Sequence, residues 1–246
     1  MKSSILSILI LLLSFVEPLS SQEAAIELEN PSFEGIPMEG TYNGALPRGW
    51  YDCGFPSETV PDVHPKIGGG AFQVTKEPFH GNSYLGMVVR ENDTWELVSQ
   101  RLSEPLKTGK CYEFSIYLAR SELYVSMSRK DNTMKNYGTP VKLRIWGGNG
   151  YCSQLELLDE SSDVTNYRWL KYDFQFKPKK TYTHIVLEAY YMTPTPFAYN
   201  GNLLIDNASV ITPSNCGESL VAKGEKPVVK QAPPKKQTTK KVTPPA

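Results

Sequence analysis

Short segments in which apolar and polar residues alternate run through residues 26–211, and this alternation is the feature that most limits the fold. A period of two places every second side chain on one face of a β-strand, whereas an amphipathic helix needs a period of roughly 3.6. No long stretch in this region carries the helical spacing. The chain is therefore expected to be all-β. The clearest alternating sets are Tyr112, Phe114, Ile116 and Leu118, and Val141, Leu143 and Ile145.

Other segments with the same character are also expected to be strands, at 83–89, 96–102, 172–176, 185–189 and 202–210. Turn-rich segments separate them, for example 107–110, 147–150 and 177–180. About eight short strands at this spacing are typical of a sandwich or a barrel rather than an α/β fold. We predict two packed sheets in one domain that spans residues 22–216.

The first 21 residues have the pattern of a secretory signal peptide. Lys2 supplies a positive charge, residues 5–16 are almost entirely apolar, and residues 18–21 resemble a cleavage region. The apolar run is shorter than the roughly 20 residues that cross a bilayer. The protein is thus predicted to be exported without spanning the membrane, and to be secreted, periplasmic or held at the cell surface.

The C-terminal residues 217–246 form a tail rich in Lys and Pro and free of aromatic residues. Such a composition buries too little apolar surface to offset the entropy of ordering, so the tail is predicted to be disordered. The formal net charge of the whole chain is zero, so the lysines of the tail leave the folded part mildly acidic. The tail is either a solvated spacer or a basic segment that attracts anionic envelope polymers. Nucleic acid is not an expected partner.

The cysteines Cys53, Cys111, Cys152 and Cys216 all lie in the part predicted to be exported. An even number of cysteines in an oxidising compartment favours two disulfides, and four cysteines allow three pairings. A zinc site is the alternative, but there is no Cys-x-x-Cys pair and the histidines are not at ligand spacing.

A sugar-binding face is predicted from the residues that the alternation directs away from the core. Sugars are bound by aromatic faces that cover the apolar side of the ring and by planar polar groups that pair with hydroxyls. The alternative is that these side chains are ordinary cross-strand pairs that stabilise the sheet. The predicted ligand-binding set is Tyr117, Arg144, Trp146, Glu188 and Tyr190.

The long segment 43–74, which is rich in Gly and Pro, offers a second group of candidates. Tyr51, Asp62 and His64 could form a rim around a ligand. Trp50 could join that rim, but it is more simply a core residue packed under the loop. A lone histidine between prolines is more often a turn residue than a ligand.

The acidic segment 155–160 raises the alternative of a glycosidase, because paired carboxylates perform acid–base chemistry in jelly-roll hydrolases. On a strand, however, Glu156 and Glu160 share a face from which Asp159 points away. The Glu-x-Asp-x-x-Glu order of such hydrolases is absent, as are other common catalytic motifs. We expect no enzymatic activity.

Three segments carry a resemblance to a known family. Residues 30–35 read Asn-Pro-Ser-Phe-Glu-Gly, with Trp50 shortly after, residues 109–115 read Gly-Lys-Cys-Tyr-Glu-Phe-Ser, and residues 203–210 read Leu-Leu-Ile-Asp-Asn-Ala-Ser-Val. Together they resemble the carbohydrate-binding modules of the 4/9 type, which belong to the galactose-binding-like jelly-roll superfamily. The resemblance implies a jelly-roll β-sandwich.

The resemblance also implies a metal site and a disulfide pairing. In the family, a first-strand Glu and a last-strand Asp commonly hold a structural calcium ion, which implicates Glu34 and Asp206, although both could merely cap turns. The same topology places the final strand antiparallel to the Cys111 strand. It therefore favours a bridge from Cys111 to Cys216, and hence one from Cys53 to Cys152.

Two functions follow as hypotheses. The first is a non-catalytic carbohydrate-binding module that recognises a glycan or polysaccharide. The second is a structural or adhesion component that binds a protein partner at the cell envelope.

Overall fold

The computed structural model describes residues 24–44 and 46–216. The predicted signal peptide and the tail from residue 217 lie outside these residues. Of the described residues, those up to Asn215 belong to one compact unit, and Cys216 belongs to a second unit.

The described residues form fourteen strands and one short 3₁₀ helix, at Ile67–Gly69. The strands are β1 (Tyr51–Asp52), β2 (Asp62–His64), β3 (Tyr84–Arg90), β4 (Thr94–Trp95), β5 (Leu97–Leu106), β6 (Cys111–Ala119), β7 (Val125–Met127), β8 (Met134–Asn136), β9 (Val141–Gly148), β10 (Glu156–Glu160), β11 (Leu170–Phe176), β12 (Tyr182–Tyr191), β13 (Gly201–Asp206) and β14 (Thr212–Ser214).

Two antiparallel sheets form a β-sandwich, which confirms the predicted all-β jelly-roll class. The five-stranded sheet has the order β1-β5-β12-β9-β10. The seven-stranded sheet has the order β11-β6-β13-β3-β2, with β14 paired to β6 and β4 paired to β3. Strands β7 and β8 form a separate hairpin. Among the described residues, no helix is long and apolar enough to cross a membrane.

The core lies between the two sheets and contains the side chains that the alternation predicts. Phe114 and Ile116 of β6 are buried, as are Leu143 and Ile145 of β9 and Leu187 of β12. Burial of such side chains is the main favourable term in folding. The assignment of inward and outward positions is therefore correct for these three strands.

Trp50 belongs to the core, as its simpler interpretation predicts. Its ring stacks on Phe33 with 4.8 Å between the ring centroids, and its indole N–H donates to the Asn30 carbonyl at 3.1 Å. Trp50 therefore packs in the core together with Phe33.

Strand β13 ends at Asp206, whereas the alternation predicts a strand as far as residue 210. Asn207 has a left-handed backbone with φ of 47°, which a β-strand cannot continue through. The Asp206 carboxylate accepts a hydrogen bond from the Asn207 backbone N–H at 2.7 Å and thereby stabilises the turn.

Two disulfides are formed, as predicted. Cys53 is bonded to Cys152. Cys111 and Cys216 are also disulfide-bonded, and no described cysteine is free. The Cys53–Cys152 bridge connects the loop after β1 with the turn between β9 and β10, and so it lies at the five-stranded sheet.

Candidate functional site

The outer face of the five-stranded sheet, the side turned away from the core, carries most of the predicted ligand-binding residues. Glu188 of β12 lies opposite Arg144 of β9, and Val186 lies opposite Trp146. Residues directly opposite each other in an antiparallel pair share a face. Arg144, Trp146, Glu188 and Tyr190 are therefore gathered on one surface, as the alternation predicts.

Tyr117 does not belong to this group, and that part of the prediction is corrected. Tyr117 lies on β6 of the seven-stranded sheet, opposite Lys171 and Asp206. Its ring stacks on Phe79 with 3.6 Å between the ring centroids. The alternation predicts which side of its own sheet a residue occupies, but not which of the two sheets it belongs to.

Glu188 is a buried anchor rather than an accessible acceptor. Only 2% of the residue is exposed. Its carboxylate accepts hydrogen bonds from the indole N–H groups of Trp95 and Trp146, both at 2.7 Å, and from the side-chain amide of Gln154 at 3.1 Å. These contacts hold both indoles against the sheet, and they occupy the carboxylate of Glu188.

Arg144 and Tyr190 form a half-buried pair beside this anchor. The Arg144 guanidinium lies over the Tyr190 ring, 3.5 Å from its centroid, and its Nε donates to Glu160 at 3.1 Å. Lys142 donates to the other oxygen of Glu160 at 2.9 Å. Burial raises the pKa of Glu160, but the hydrogen bonds and charges of these two cations lower it below its ordinary value. Arg144 and Lys142 are thus already paired with the carboxylate of Glu160.

Two tyrosines that the alternation does not single out are exposed at this face. Tyr51 of β1 lies opposite Ser99, on the outer face, and Tyr151 lies in the turn after β9. Their ring centroids are 5.1 Å apart, and the residues are 55% and 53% exposed. His184 packs edge-on against Tyr151 at 4.9 Å.

The Cys53–Cys152 disulfide holds this tyrosine pair in place. Tyr51 lies two residues before Cys53, and Tyr151 directly precedes Cys152. The bridge therefore brings together two chain segments that are 99 residues apart in sequence. The covalent link restricts the relative motion of the two backbone segments that carry the rings.

A cleft of about 250 Å³ borders the tyrosine pair. Arg101 and Glu29 line it together with the two tyrosines, and Gln100 lies at its base. The Gln100 amide is engaged by the backbone of Glu29 and Gly49. The cleft thus combines exposed aromatic rings with a cation and a carboxylate. We name the tyrosine pair with Arg101 and Glu29 the tyrosine cleft.

The comparisons with known proteins concern the fold. No family model and no curated protein matches the chain. Among solved structures, the xylan-binding CBM22-1 domain of Xyn10C from Paenibacillus barcinonensis has 17% identity and a TM-score of 0.38, over 71% of this chain and 88% of that chain. A CBM4 structure has 11% identity and a TM-score of 0.38, over 76% and 100%.

An arabinose-bound α-L-arabinofuranosidase, MgGH51, is also similar, with 10% identity and a TM-score of 0.48. The match covers 77% of this chain but 26% of that one, so the chain spans about a quarter of that enzyme. At these identities, the comparisons assign no functional role to any residue of this chain.

The calcium site implied at Glu34 and Asp206 remains a prediction, and both carboxylates already accept hydrogen bonds from backbone N–H groups. Asp206 is fully buried, and its carboxylate accepts backbone N–H groups of Phe79, His80 and Asn207 at 2.7–2.9 Å. The Glu34 carboxylate accepts the Asn82 N–H at 3.0 Å. Burial raises the pKa of Asp206 to about 6. No group of three or more acidic, His or Cys ligands occurs among residues 24–44 and 46–216.

The remaining candidates of the long early segment lie on the other sheet. Asp62 and His64 belong to β2, at the edge of the seven-stranded sheet. Both are buried, and burial lowers the pKa of His64 to about 3. Of the predicted rim residues, Tyr51 and the buried Trp50 line the tyrosine cleft, whereas Asp62 and His64 do not.

Proposed function

We propose that the protein is a non-catalytic carbohydrate-binding module whose ligand is held at the tyrosine cleft. The observation that carries the proposal is the exposed Tyr51–Tyr151 pair, fixed by a disulfide beside a polar cleft. Exposed tyrosine rings offer apolar faces to the C–H side of a sugar. The neighbouring Arg101 and Glu29 can donate to and accept from its hydroxyl groups.

The Arg144–Tyr190 pair and Trp146 are part of this proposal as a further contact region for an extended glycan. They share the outer face with the tyrosine cleft. Tyr51 and Trp146 are three strands apart in the sheet order, which corresponds to roughly 14 Å. An extended polysaccharide that lies across the strands would therefore meet both regions, whereas a single sugar would occupy one.

Replacing Tyr51 or Tyr151 by alanine is expected to weaken binding to a retained polysaccharide about tenfold, because each change removes one aromatic face. The melting temperature should change little, since both side chains are exposed. Affinity electrophoresis on a panel of soluble polysaccharides selects the ligand, and calorimetry measures the dissociation constant.

Two controls make this test specific. The Tyr51→Phe and Tyr151→Phe variants keep the rings and should keep most of the affinity. The Tyr167→Ala variant removes an exposed tyrosine that packs against Arg120 elsewhere on the surface, and it should bind normally. If Tyr51→Ala and Tyr151→Ala bind as tightly as the unchanged protein, the tyrosine cleft is not the site. If no glycan is retained at any salt concentration, the alternative of a protein partner is favoured.

A further inference from the structure

A second concave site lies on the outer face of the seven-stranded sheet, against the β7–β8 hairpin. It has a volume of about 250 Å³ and shares no lining residue with the tyrosine cleft. We name it the hairpin pocket. Its floor contains Asp62, Arg90, Glu96, Tyr124 and Tyr137, all of them buried. Buried polar groups in a concave surface are unusual unless they bind something or satisfy one another.

Arg90 supplies the first sign that the pocket binds a ligand. Its Nη2 donates to Glu96 and, at 3.0 Å, to Thr59, and its Nε lies 3.5 Å from Glu58. Its Nη1 is buried and has no hydrogen-bond partner among the described residues. The residue is only 2% exposed. An unpaired guanidinium N–H at this depth is costly, and a ligand acceptor that displaces its neighbours in the floor would satisfy it.

The two carboxyl groups in the floor of the pocket, those of Asp62 and Glu96, are held in place by hydrogen bonds. Tyr124 donates its hydroxyl to Asp62, whose other oxygen accepts the Gly40 N–H at 2.7 Å. Glu96 accepts the Val88 N–H at 3.0 Å as well as Arg90. Burial raises the pKa of Glu96 to about 7 and raises that of Asp62 as well. Carboxyl oxygens keep further lone pairs, so the floor presents acceptors beside the unpaired donor.

The rim of the pocket is apolar and exposed. Tyr42, Met127 and Met134 line it and are 57%, 48% and 58% exposed. Large apolar side chains left in water around a polar floor are typical of a ligand-binding lip. The pocket thus repeats the combination of an apolar face with paired polar groups that sugars require.

The volume of the hairpin pocket and the charges around it limit which ligands it can bind. A pocket of about 250 Å³ is smaller than the roughly 300–1,000 Å³ of sites for drug-sized ligands. Anions are disfavoured, because Arg90 is already paired with Glu58 and Glu96, and Arg129 is itself paired with Glu58 at 2.8 Å. A neutral hydroxyl group can accept from Arg90 and donate to a carboxylate at the same time.

We propose that the hairpin pocket is a second sugar site, which binds a single neutral monosaccharide or the end of a chain. This inference rests on the proposed function in that the ligand is again a carbohydrate, but the site is separate. The Arg90 Nη1 donates to a ring hydroxyl, the Asp62 and Glu96 carboxyl groups accept from neighbouring hydroxyls, and Tyr42 covers the apolar side of the ring.

The test is an NMR titration of the ¹⁵N-labelled protein with glucose, galactose, mannose, xylose and arabinose. At least one sugar should shift the amide signals of residues 124–137 and 88–90. Because Arg90 is buried in an ion-pair network, the variants are made on the exposed rim instead. Tyr42→Ala and Met134→Ala should weaken the affinity about fivefold, while Tyr167→Ala, which removes an exposed tyrosine outside both sites, should leave the shifts of the hairpin signals unchanged.

The outcomes separate this proposal from the previous one. If no sugar shifts the hairpin signals, or if the rim variants bind as well as the unchanged protein, the hairpin pocket is not a sugar site, and polysaccharide binding at the tyrosine cleft is unaffected. If monosaccharides shift the hairpin signals while no polysaccharide binding depends on Tyr51 and Tyr151, the hairpin pocket is supported and the tyrosine cleft fails.

Discussion

Replacing both Cys53 and Cys152 by serine is expected to lower the free energy of unfolding by about 3–5 kcal/mol and to weaken polysaccharide binding at the same time. The bridge closes a loop of 99 residues, and loops of that length lose much entropy when they are closed in the unfolded chain. Binding should weaken because the strand end with Tyr51 and the turn with Tyr151 lose their covalent link. Urea unfolding and calorimetry measure the two effects.

The two effects can be separated by comparison with the tyrosine variants. Tyr51→Ala is expected to lose affinity with little loss of stability, whereas the double serine variant should lose both. Removing both cysteines avoids a free thiol that could exchange with the other bridge. A double serine variant that keeps its affinity would show that the bridge does not position the tyrosine pair.

Replacing Glu188 by alanine is expected to lower the free energy of unfolding by about 3–5 kcal/mol. The change removes the acceptor that two indole N–H groups and the Gln154 amide share, and it leaves a cavity under the two rings. Glu188→Gln should have a smaller effect, because the amide keeps one acceptor oxygen but turns a second donor toward an indole N–H. Urea unfolding monitored by tryptophan fluorescence reports the loss directly.

Glu113→Ala provides the matched control for this prediction. Glu113 is an exposed strand glutamate whose side chain contacts Gln175 at 3.4 Å, so its loss should change the stability by less than about 0.5 kcal/mol. A Glu188→Ala variant as stable as this control would show that the carboxylate is not the anchor described above.

The sequence correctly predicts on which side of its sheet each of these side chains lies, because alternation is a local property. Leu143, Ile145 and Leu187 point inward, and Arg144 and Glu188 point outward, as the period of two requires. What alternation cannot predict is whether an outward residue stays accessible. Glu188 becomes buried because Trp95, from a strand of two residues, and Gln154, from a turn, pack over it. Such loop contacts are tertiary and leave no periodic signal.

The tyrosine cleft could have been predicted from the cysteines. A bridge between Cys53 and Cys152 necessarily brings Tyr51 and Tyr151 near each other, since each lies within two residues of a bridged cysteine. The hairpin pocket is harder to predict from the sequence. Asp62 stands out as a candidate in the sequence, but Arg90 and Glu96 read as ordinary residues at strand ends, and only the fold brings them together.

The most direct test of the central claim is an NMR titration that follows the ring signals of ¹³C-labelled tyrosines as the polysaccharide selected by affinity electrophoresis is added. The proposed function predicts that the Tyr51 and Tyr151 rings shift first and most, and that Tyr117 on the opposite sheet is unaffected. Shifts at Tyr117 with Tyr51 and Tyr151 unmoved would contradict it.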